Sequence, residues 1–363
     1  MADRSRAREE IDRIDREIAA LYEERMAAVD EIARFKRERG LPIYDPERED
    51  AIMRRNMNYI THDAYAPGYA ALMRKLMEVS CAYQAGVMEG VRVGYSGVKG
   101  AFAEIAAERI LPGCVAVPYP DFARAYRACE EGEVDCCVLP VENSTAGEVG
   151  AVTDLMFGGR LCISGVYDLA IAQNLLGLPG SRLDGIKRVI SHPQALSQCA
   201  DYIKEKGFAA TEAVNTAVAA LQVVEGGDPT VAAIASLRTA ELYHLNVLDH
   251  DIQQSAGNTT RFAVFTPKQV TPASGHGLIS AFLFTVRNEA GSLAAAIGII
   301  ARHGMNLRCL RSRPMKELAW QYYFYAELDG DIGSEEGQAM LRELGGACDK
   351  LKVAGVYRES SIV

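Results

Sequence analysis

The spacing of hydrophobic and polar positions divides the chain into three regions. Residues 1–88 repeat apolar side chains every three or four positions, which predicts helices packed along an apolar seam. On the first helix, predicted at 5–39, the seam runs through Ile11, Ile14, Ile18, Leu21, Ala28, Ile32 and Phe35. A second helix is predicted after an N-cap at Asp45, and a third at 67–88. This region is therefore predicted to be an all-α helical module.

Residues 91–267 alternate short apolar runs with helical patterns, which is typical of an α/β domain with mostly parallel sheets. The region is long enough for two lobes. Strands are predicted at 91–95, 136–141, 187–191, 231–236 and 262–266. After a turn-rich stretch, residues 277–360 follow a βαββαβ order, which predicts a ferredoxin-like domain. The chain is thus predicted to be multidomain.

Composition limits the possible partners and locations. The net charge of −9 over 363 residues gives no reason to expect nucleic acid as a partner. The N-terminal residues are polar and no apolar run reaches membrane-spanning length, so neither a signal peptide nor a membrane contact is predicted. The nine scattered cysteines, without a CxxC pair, indicate free thiols in a cytoplasmic protein. No metal and no cofactor is predicted.

Two cations of the helical module occupy seam positions. Arg25 is in register with the seam, and Lys36 follows 11 residues later, about 16 Å along the same side of the helix. A buried guanidinium needs an anion, either a carboxylate of the protein or a ligand. Ser80 and Gln84 occupy seam positions of the third helix, where a polar pair bonded to backbone is the alternative. Together these residues predict a pocket for a small anionic substrate.

The polar residues of the module resemble those of the all-helical chorismate mutase family. The matching positions are Arg8, Arg25, Lys36, Asp45, Arg48, Glu49, Ser80 and Gln84. The resemblance implies rearrangement of chorismate to prephenate, in which the site holds one conformer and stabilises charge on the ether oxygen. It implies that Lys36 and Gln84 donate to that oxygen. The other six residues are implied to bind the substrate, although a solvated surface position is the alternative for Arg48.

Arg8 and Arg25 are too far apart to bind one chorismate within a single chain. They are 17 residues apart, which is about 25 Å along a straight helix, and their directions differ by roughly 100°. Arg8 is therefore predicted to serve the site of a partner chain. The chain is predicted to form a homodimer, or a tetramer of paired dimers.

Three polar clusters follow predicted strands of the α/β region, at 140–145, 191–194 and 258–262. Sites of open α/β sheets lie at the carboxyl ends of strands, whereas capping and turn chemistry is the alternative for any single cluster. The motifs Glu-Asn-Ser, Ser-His-Pro-Gln and Asn-Thr-Thr-Arg-Phe resemble the prephenate dehydratase family. That family has two α/β lobes around the site and removes CO₂ and water from prephenate to give phenylpyruvate.

The resemblance implies that Thr260 is the donor or relay of the proton to the departing hydroxyl. The implied substrate-binding residues are Glu142, Asn143, Ser144, Ser191, Gln194, Thr216, Asn258, Arg261 and Phe262. A structural ion pair is the alternative for Arg261, and His192 is either a relay or a helix-start residue. Ala101 and Ala103 stand where the family usually has hydroxyl residues, which leaves the choice between prephenate and arogenate open.

The final region resembles an ACT domain, a module that binds amino acids at its interfaces. The implied effector-binding residues are Gly291, Ser292, Leu293, Arg311, Ser312, Arg313 and Pro314. Arg311 stands where phenylalanine-regulated relatives have Glu, and a reversed charge disturbs capture of an ammonium group. Feedback inhibition by phenylalanine is nevertheless predicted. A purely structural dimerisation domain is the alternative.

The sequence therefore predicts a bifunctional enzyme of phenylalanine biosynthesis, an isomerase joined to a lyase. Chorismate and prephenate are its predicted substrates. Two other functions remain open. One is a chorismate mutase fused to an arogenate dehydratase, and the other is a non-catalytic small-molecule-binding module with a helical dimerisation arm.

Overall fold

The computed structural model describes residues 2–39, 46–255, 257–269, 277–315 and 321–362. The chain separates into two compact units, Met1–Val91 and Arg92–Val363. The first is helical, with α1 (Ala2–Arg39), α2 (Pro46–Met57) and α3 (Ala66–Glu89). Pro46 begins α2 and Pro67 lies in the first turn of α3, where a missing N–H costs no hydrogen bond. The prediction of an all-α module is confirmed.

The predicted apolar seam of α1 is not buried within the chain. Ile11 is 57% exposed and Leu21 is 62% exposed, whereas Val29 and Ala33 are buried. In the N-terminal half the reason is length, because α1 extends about 57 Å and α3 only about 36 Å, so α3 covers only part of α1. In the C-terminal half the seam is exposed as well, up to Phe35 at 45%, because the covered side chains there are Val29 and Ala33 on a neighbouring face. The predicted seam is therefore not packed within one chain.

The second unit contains sixteen strands among its described residues. They are β1 (Arg92–Ser96), β2 (Val115–Tyr119), β3 (Cys136–Asn143), β4 (Gly147–Glu148), β5 (Cys162–Ala170), β6 (Asn174–Gly177), β7 (Arg188–Ser191), β8 (Ala209–Glu212), β9 (Val231–Ala235), β10 (Asn246–Asp249), β11 (Thr259–Thr266), β12 (Ile279–Thr285), β13 (Asn306–Pro314), β14 (Tyr322–Asp329), β15 (Lys350–Tyr357) and β16 (Glu359–Ile362).

Helices connect these strands, as the alternating pattern predicts. They are α4 (Phe102–Ile110), α5 (Phe122–Glu130), α6 (Gly150–Gly158), α7 (Pro193–Gln198), α8 (Ala200–Lys206), α9 (Thr216–Gly226), α10 (Leu237–Tyr243), α11 (Ser292–Arg302) and α12 (Glu335–Ala347). Single 3-10 turns lie at 63–65 and 183–185. Four of the nine free cysteines are buried, namely Cys129, Cys136, Cys137 and Cys199.

The α/β region forms two lobes, one on each sheet. The chain passes from β5 in the larger sheet to β6 in the five-stranded sheet, and returns from β10 to β11. Strands β1, β2 and β3 are parallel, but β11 runs antiparallel to both β3 and β5. The expectation of mostly parallel sheets is therefore wrong, because the strands at which the chain crosses between lobes pair in the opposite direction.

The C-terminal region continues the larger sheet. Its strands lie in the order β13-β14-β12-β15, all antiparallel, with α11 and α12 supplying part of a buried core. Strand β15 meets β5 at Gly355, where an added β carbon would lie 2.2 Å from the carbonyl oxygen of Ile163. Beyond it, β16 pairs parallel with β5. Glycine at 355 therefore permits the close approach that joins the two halves of the sheet.

Across the described residues, none of the helices is both long enough and apolar enough to cross a membrane.

Candidate active sites

In the helical unit, Arg25 and Ser80 lie together between α1 and α3. The Arg25 guanidinium donates to the Ser80 hydroxyl at 2.5 Å and to the Leu76 carbonyl at 3.5 Å. Ser80 is buried and donates its own proton to the Leu76 carbonyl at 2.6 Å. Both hydrogen-bond partners of Arg25 among the described residues are neutral, so its positive charge is available to an anion.

Gln84 lies one turn after Ser80 on α3. Its side chain is only 8% exposed, and its Oε1 has no hydrogen-bond partner within the described part of the chain. An orphaned amide in a helix interface costs on the order of 1–3 kcal/mol unless a ligand engages it. The Gln84 side chain is therefore available to hydrogen-bond a polar ligand.

The remaining predicted residues of this unit lie elsewhere or outside the description. Lys36 is half-buried near the end of α1, three turns beyond Arg25. Arg8 is exposed near the other end of the same unbroken helix. Arg48 and Glu49 lie within α2, and Asp45 lies outside the described residues. The structure thus brings Arg25 and Ser80 into contact, with Gln84 one turn away, and keeps Arg8 apart.

In the α/β region, Asn143 and Thr260 form the centre of a polar cluster. They are directly opposite each other on β3 and β11. The Asn143 amide donates to the Thr260 hydroxyl at 2.9 Å and to Asn258 Oδ1 at 3.0 Å. Its oxygen accepts from the hydroxyl and backbone N–H of Thr145. Asn143 therefore fixes the turn that follows β3 and orients the Thr260 hydroxyl as an acceptor whose own proton points elsewhere.

The cluster extends across the two chain crossings between the lobes. Gln198 exchanges hydrogen bonds with Asn258 and donates to Thr145 Oγ1 at 3.0 Å. Ser144 bonds the backbone of residues 257 and 259, which ties the same turn to the start of β11. A cavity of about 250 Å³ opens here, lined by residues that include Gln194, Gln198 and Asn258.

Gln198 was not singled out by the sequence analysis. The sequence does contain an indication of its role. Gln198 follows Gln194 by four residues, and side chains at this spacing share one face of a helix. Both residues belong to α7, which starts at the proline of the Ser-His-Pro motif, Pro193. The motif therefore positions a pair of amides rather than one.

The second lobe holds the other predicted contacts. Ser191 is fully buried at the end of β7 and donates to the Ile234 carbonyl at 2.6 Å. Thr216 is buried at the first position of α9. His192 caps α7, where its Nδ1 accepts from the Gln194 N–H at 3.2 Å. Burial lowers the pKa of His192, against a smaller opposing effect of Glu212. Of the two interpretations of His192, the structure places it as a helix-start residue.

Three predicted substrate contacts do not reach the cluster. Side chains alternate along a strand, so Glu142 and Arg261 point to the opposite face of the sheet from Asn143 and Thr260. Arg261 lies 3.3 Å from Asp168, 3.4 Å from Glu142 and 3.2 Å from Glu359, in salt bridges that also raise its pKa against the effect of burial. The structural ion pair is therefore the observed role of Arg261.

Phe262 is the third predicted substrate contact that does not reach the cluster. It is 3% exposed and belongs to the hydrophobic core beneath α4, with Val93 and Leu169 among its neighbours in the cluster. Phe262 lies on the same face of β11 as Thr260 but two residues further along, where that face is covered by the core. Phe262 thus supports β11 rather than contacting the polar cluster.

A loop with Gly97 and Gly100 joins β1 to α4. The backbone groups of Gly100 are hydrogen-bonded by the protein itself. Gly100 has a positive φ of 90°, donates its N–H to Glu104 at 2.6 Å and accepts from the Thr239 hydroxyl at 2.9 Å. The loop therefore does not offer this N–H to a substrate carboxylate. Ala101 occupies the N-cap of α4, where no side chain caps the helix, and Ala103 is buried in its first turn.

The predicted effector residues of the C-terminal region separate onto two faces. Gly291 caps α11 with a positive φ, and Ser292 and Leu293 begin that helix. Ser312 alternates with Arg311 and Arg313 along β13 and so points the other way. Arg311 bonds Glu142 and Arg313 bonds Asp154, both in the dehydratase-like region. These two arginines are therefore wrongly assigned to the effector site, because the protein's own carboxylates engage them.

Comparison with known proteins matches both regions. A family model described as chorismate mutase type II covers residues 7–85, and one described as prephenate dehydratase covers residues 93–270. The bifunctional chorismate mutase/prephenate dehydratase of Aquifex aeolicus (strain VF5) is 32% identical over 365 residues, which is 96% of each chain. Arogenate dehydratase/prephenate dehydratase 2 of Arabidopsis thaliana is 34% identical over 276 residues, 74% of this chain and 72% of that protein.

A solved structure gives the same relationship for the second unit. Prephenate dehydratase from Arthrobacter aurescens in complex with L-Phe is 27% identical with a TM-score of 0.69, covering 74% of this chain and 90% of that one. The match to the bifunctional relative, by contrast, extends through both units. The chain therefore belongs to the bifunctional chorismate mutase/prephenate dehydratase family, whose two activities convert chorismate to prephenate and prephenate to phenylpyruvate in phenylalanine biosynthesis.

Proposed function

We propose that the helical unit binds chorismate between α1 and α3. Arg25 pairs with a carboxylate, Ser80 contacts the ring-hydroxyl region, and Lys36 and Gln84 donate to the ether oxygen. The support is the charge of Arg25 beside two neutral partners, and the buried Gln84 amide, which the described residues do not fix because its Oε1 has no partner among them. Charge grows on the ether oxygen as the bond breaks, so donors aimed there lower the barrier more than they stabilise the bound substrate. Asp45, Arg48 and Glu49 complete the substrate contacts.

We propose that a second copy of the chain completes this site with its Arg8. Arg8 is exposed and lies about 25 Å from Arg25 on the same straight helix. The side of α1 between them exposes Ile11, Ile14, Ile18 and Leu21. An apolar row of this length needs a partner in water, and an identical helix supplies a self-complementary one. The functional unit is then a homodimer, or a tetramer of such dimers.

In the second unit we propose that prephenate binds at the cluster around Thr260. The bond from the ring to its carboxylate breaks, and the released electron pair aromatises the ring and expels the ring hydroxyl. That hydroxyl leaves as water with a proton from Thr260, which solvent replaces. The single observation that carries this assignment is the Asn143 amide, which donates to Thr260 and leaves the threonine proton to the substrate.

The neighbouring amides and hydroxyls provide binding rather than proton transfer. We assign substrate positioning to Asn143, Ser144, Ser191, Gln194, Gln198, Thr216 and Asn258. Gln194 and Gln198 line the cavity, while Asn258 and Ser144 fix the turns around it. Prephenate is favoured over arogenate because relatives that match nearly the whole chain, such as that of Aquifex aeolicus, are chorismate mutase/prephenate dehydratases. We expect the enzyme to act in the cytoplasm.

We propose that residues 277–360 form an ACT domain that binds phenylalanine. Support comes from the βαββαβ order, the strand order β13-β14-β12-β15, and a similar dehydratase whose structure contains L-Phe. Gly291, Ser292, Leu293, Ser312 and Pro314 are the candidate effector contacts. Millimolar phenylalanine is then expected to reduce dehydratase turnover with supplied prephenate. Unchanged turnover would favour the purely structural domain.

The dehydratase assignment is tested with Thr260→Ala, using Thr259→Ala as the matched control on the neighbouring position. Supplied with chorismate, the Thr260 variant is expected to accumulate prephenate and to lose about 100-fold or more in phenylpyruvate formation, the usual range for a lost proton donor. The mutase rate is expected to be unchanged. Full dehydratase activity in Thr260→Ala would reject the assignment.

A further inference from the structure

The turn that carries the dehydratase cluster lies at the tip of a β hairpin. Strands β3 and β4 pair antiparallel, with Glu142 opposite Glu148 and Asn143 opposite Gly147. The turn between them presents residues 144–146, and Asn143 bonds Thr260 from its base. Because side chains alternate, Glu142 and Glu148 lie on the reverse face of the hairpin. Two like charges directly opposite each other destabilise such a pair unless cations neutralise them.

Strand β13 of the C-terminal region supplies those cations. Arg311 Nη2 lies 2.5 Å from Glu142 Oε1, and Arg313 Nη1 lies 3.7 Å from Glu148 Oε2. The two arginines are two residues apart, so both project from one face of β13 at a spacing close to that of the glutamates. Each strand of the hairpin therefore contacts one arginine of β13, and Glu142 has a second, longer pair with Arg261 at 3.4 Å.

Arg313 is held in turn by the helix that follows the hairpin. Its Nε donates to Asp154 at 3.0 Å, and the Tyr323 hydroxyl donates to the same carboxylate at 2.6 Å. An added β carbon at Gly150 would overlap the Arg313 guanidinium, so this side chain crosses the start of α6 in direct contact with its backbone. Thr153 of α6 also donates to Glu148. The reverse side of the hairpin is thus a packed ionic interface.

We propose that Arg311 and Arg313 are positioning residues for the dehydratase reaction, which hold the β3–β4 hairpin so that Asn143 orients Thr260. The C-terminal region thereby forms part of the structure that supports the dehydratase site. This inference rests on the proposed function of Thr260. A displacement of a catalytic group by about 1 Å is enough to cost on the order of 100-fold in rate.

The test uses Arg311→Met, Arg311→Lys, Glu142→Gln and the double variant Arg311→Met/Glu142→Gln in the full chain. Dehydratase kcat with supplied prephenate is expected to fall about 10- to 100-fold in Arg311→Met, with KM changing less than kcat. The lysine variant is expected to recover most of the loss, since one N–H contacts Glu142. Because both groups act through one contact, the double variant is expected to lose no more than the worse single variant.

Arg302→Met is the matched control, because Arg302 pairs with Glu343 within the C-terminal region. Thermal unfolding reports on the fold of the second unit, and each variant is assayed below its unfolding temperature. Mutase activity belongs to the separate helical unit and is expected to be constant throughout. A kcat within twofold of the parent in Arg311→Met, or losses that multiply in the double variant, would overturn the proposal. Absence of dehydratase activity in the parent chain would instead reject the proposed function on which it rests.

Discussion

The two candidate sites differ in how much of each is built by one chain. In the α/β unit, Asn143, Thr260, Asn258 and Gln198 bond one another in a closed network. In the helical unit, the described residues give Arg25 neutral partners and leave Gln84 Oε1 without one, and the apolar row on α1 is exposed. Two sheets surround the first site, whereas three helices of unequal length cannot surround the second.

A region can match its family in sequence although a single chain does not build the complete site. Both regions match their families along nearly their whole length. Only the dehydratase cluster satisfies its own polar groups within the chain, because its residues follow strands that pair directly. Arg25 meets Ser80 between α1 and α3, but Arg8 lies about 25 Å away on the same helix, and we propose that it reaches the site of a second chain.

The largest expected effect is on the mutase site. Arg25→Ala removes the guanidinium that bonds Ser80 between α1 and α3 and is expected to lower mutase kcat/KM by about 100- to 1,000-fold, the range for a lost charge-stabilising donor. Dehydratase activity with supplied prephenate should be unaffected. Arg16→Ala, an exposed position on the same helix, is the control. Equal loss in both activities would show that the two sites are not independent.

A smaller effect is expected at the start of α4. Ala101 leaves that N-cap without a side-chain acceptor, so Ala101→Ser is expected to stabilise the α/β unit by about 1 kcal/mol. Thermal unfolding measures the gain, and Ala103→Ser, at a buried position inside the helix, is the control that should not show it. A fall in the unfolding temperature of Ala101→Ser would mean that the hydroxyl cannot reach the N–H groups of the first turn.

The smallest effect concerns pH. Burial lowers the pKa of His192 in the folded chain below its ordinary value of 6.5, so the unfolded chain takes up a proton first as the pH falls. Stability linked to His192 is thus present above about pH 6.5 and is lost below it. Protonation also removes the acceptor that caps α7. His192→Asn keeps an acceptor without titrating. Denaturant unfolding should show a shallower acid dependence in this variant, and an unchanged slope would contradict the assignment.

Much of this architecture could be predicted from the sequence, for identifiable reasons. The helical spacing of residues 1–88 and the βαββαβ order each follow from a short-range repeat of apolar positions, which is read directly from the sequence. The polar motifs around Asn143 and Thr260 were informative because they end strands, which places them at one edge of a sheet.

The sequence does not predict side-chain contacts that depend on residues far away along the chain. Glu142 and Arg261 sit inside predictive motifs, but strand alternation turns them to the reverse face, and Arg311 meets Glu142 across 169 residues of sequence. The apolar row of α1 was expected to be buried because its period is right. The row is exposed within the described residues, and the partner proposed for it is a second copy of the chain. Periodicity identifies which side is apolar and leaves open what covers it.

We propose that two chains share each mutase site. Mixing two inactive variants tests this sharing directly. Arg8→Ala and Arg25→Ala chains are denatured, mixed in equal amounts, refolded and assayed with chorismate. Half of randomly paired dimers are mixed, and each mixed dimer contains one intact site, so about one quarter of the parent mutase activity should return. Dehydratase activity, complete within each chain, should be equal in all samples. Mutase activity no higher than that of the two variants refolded separately would contradict the shared site.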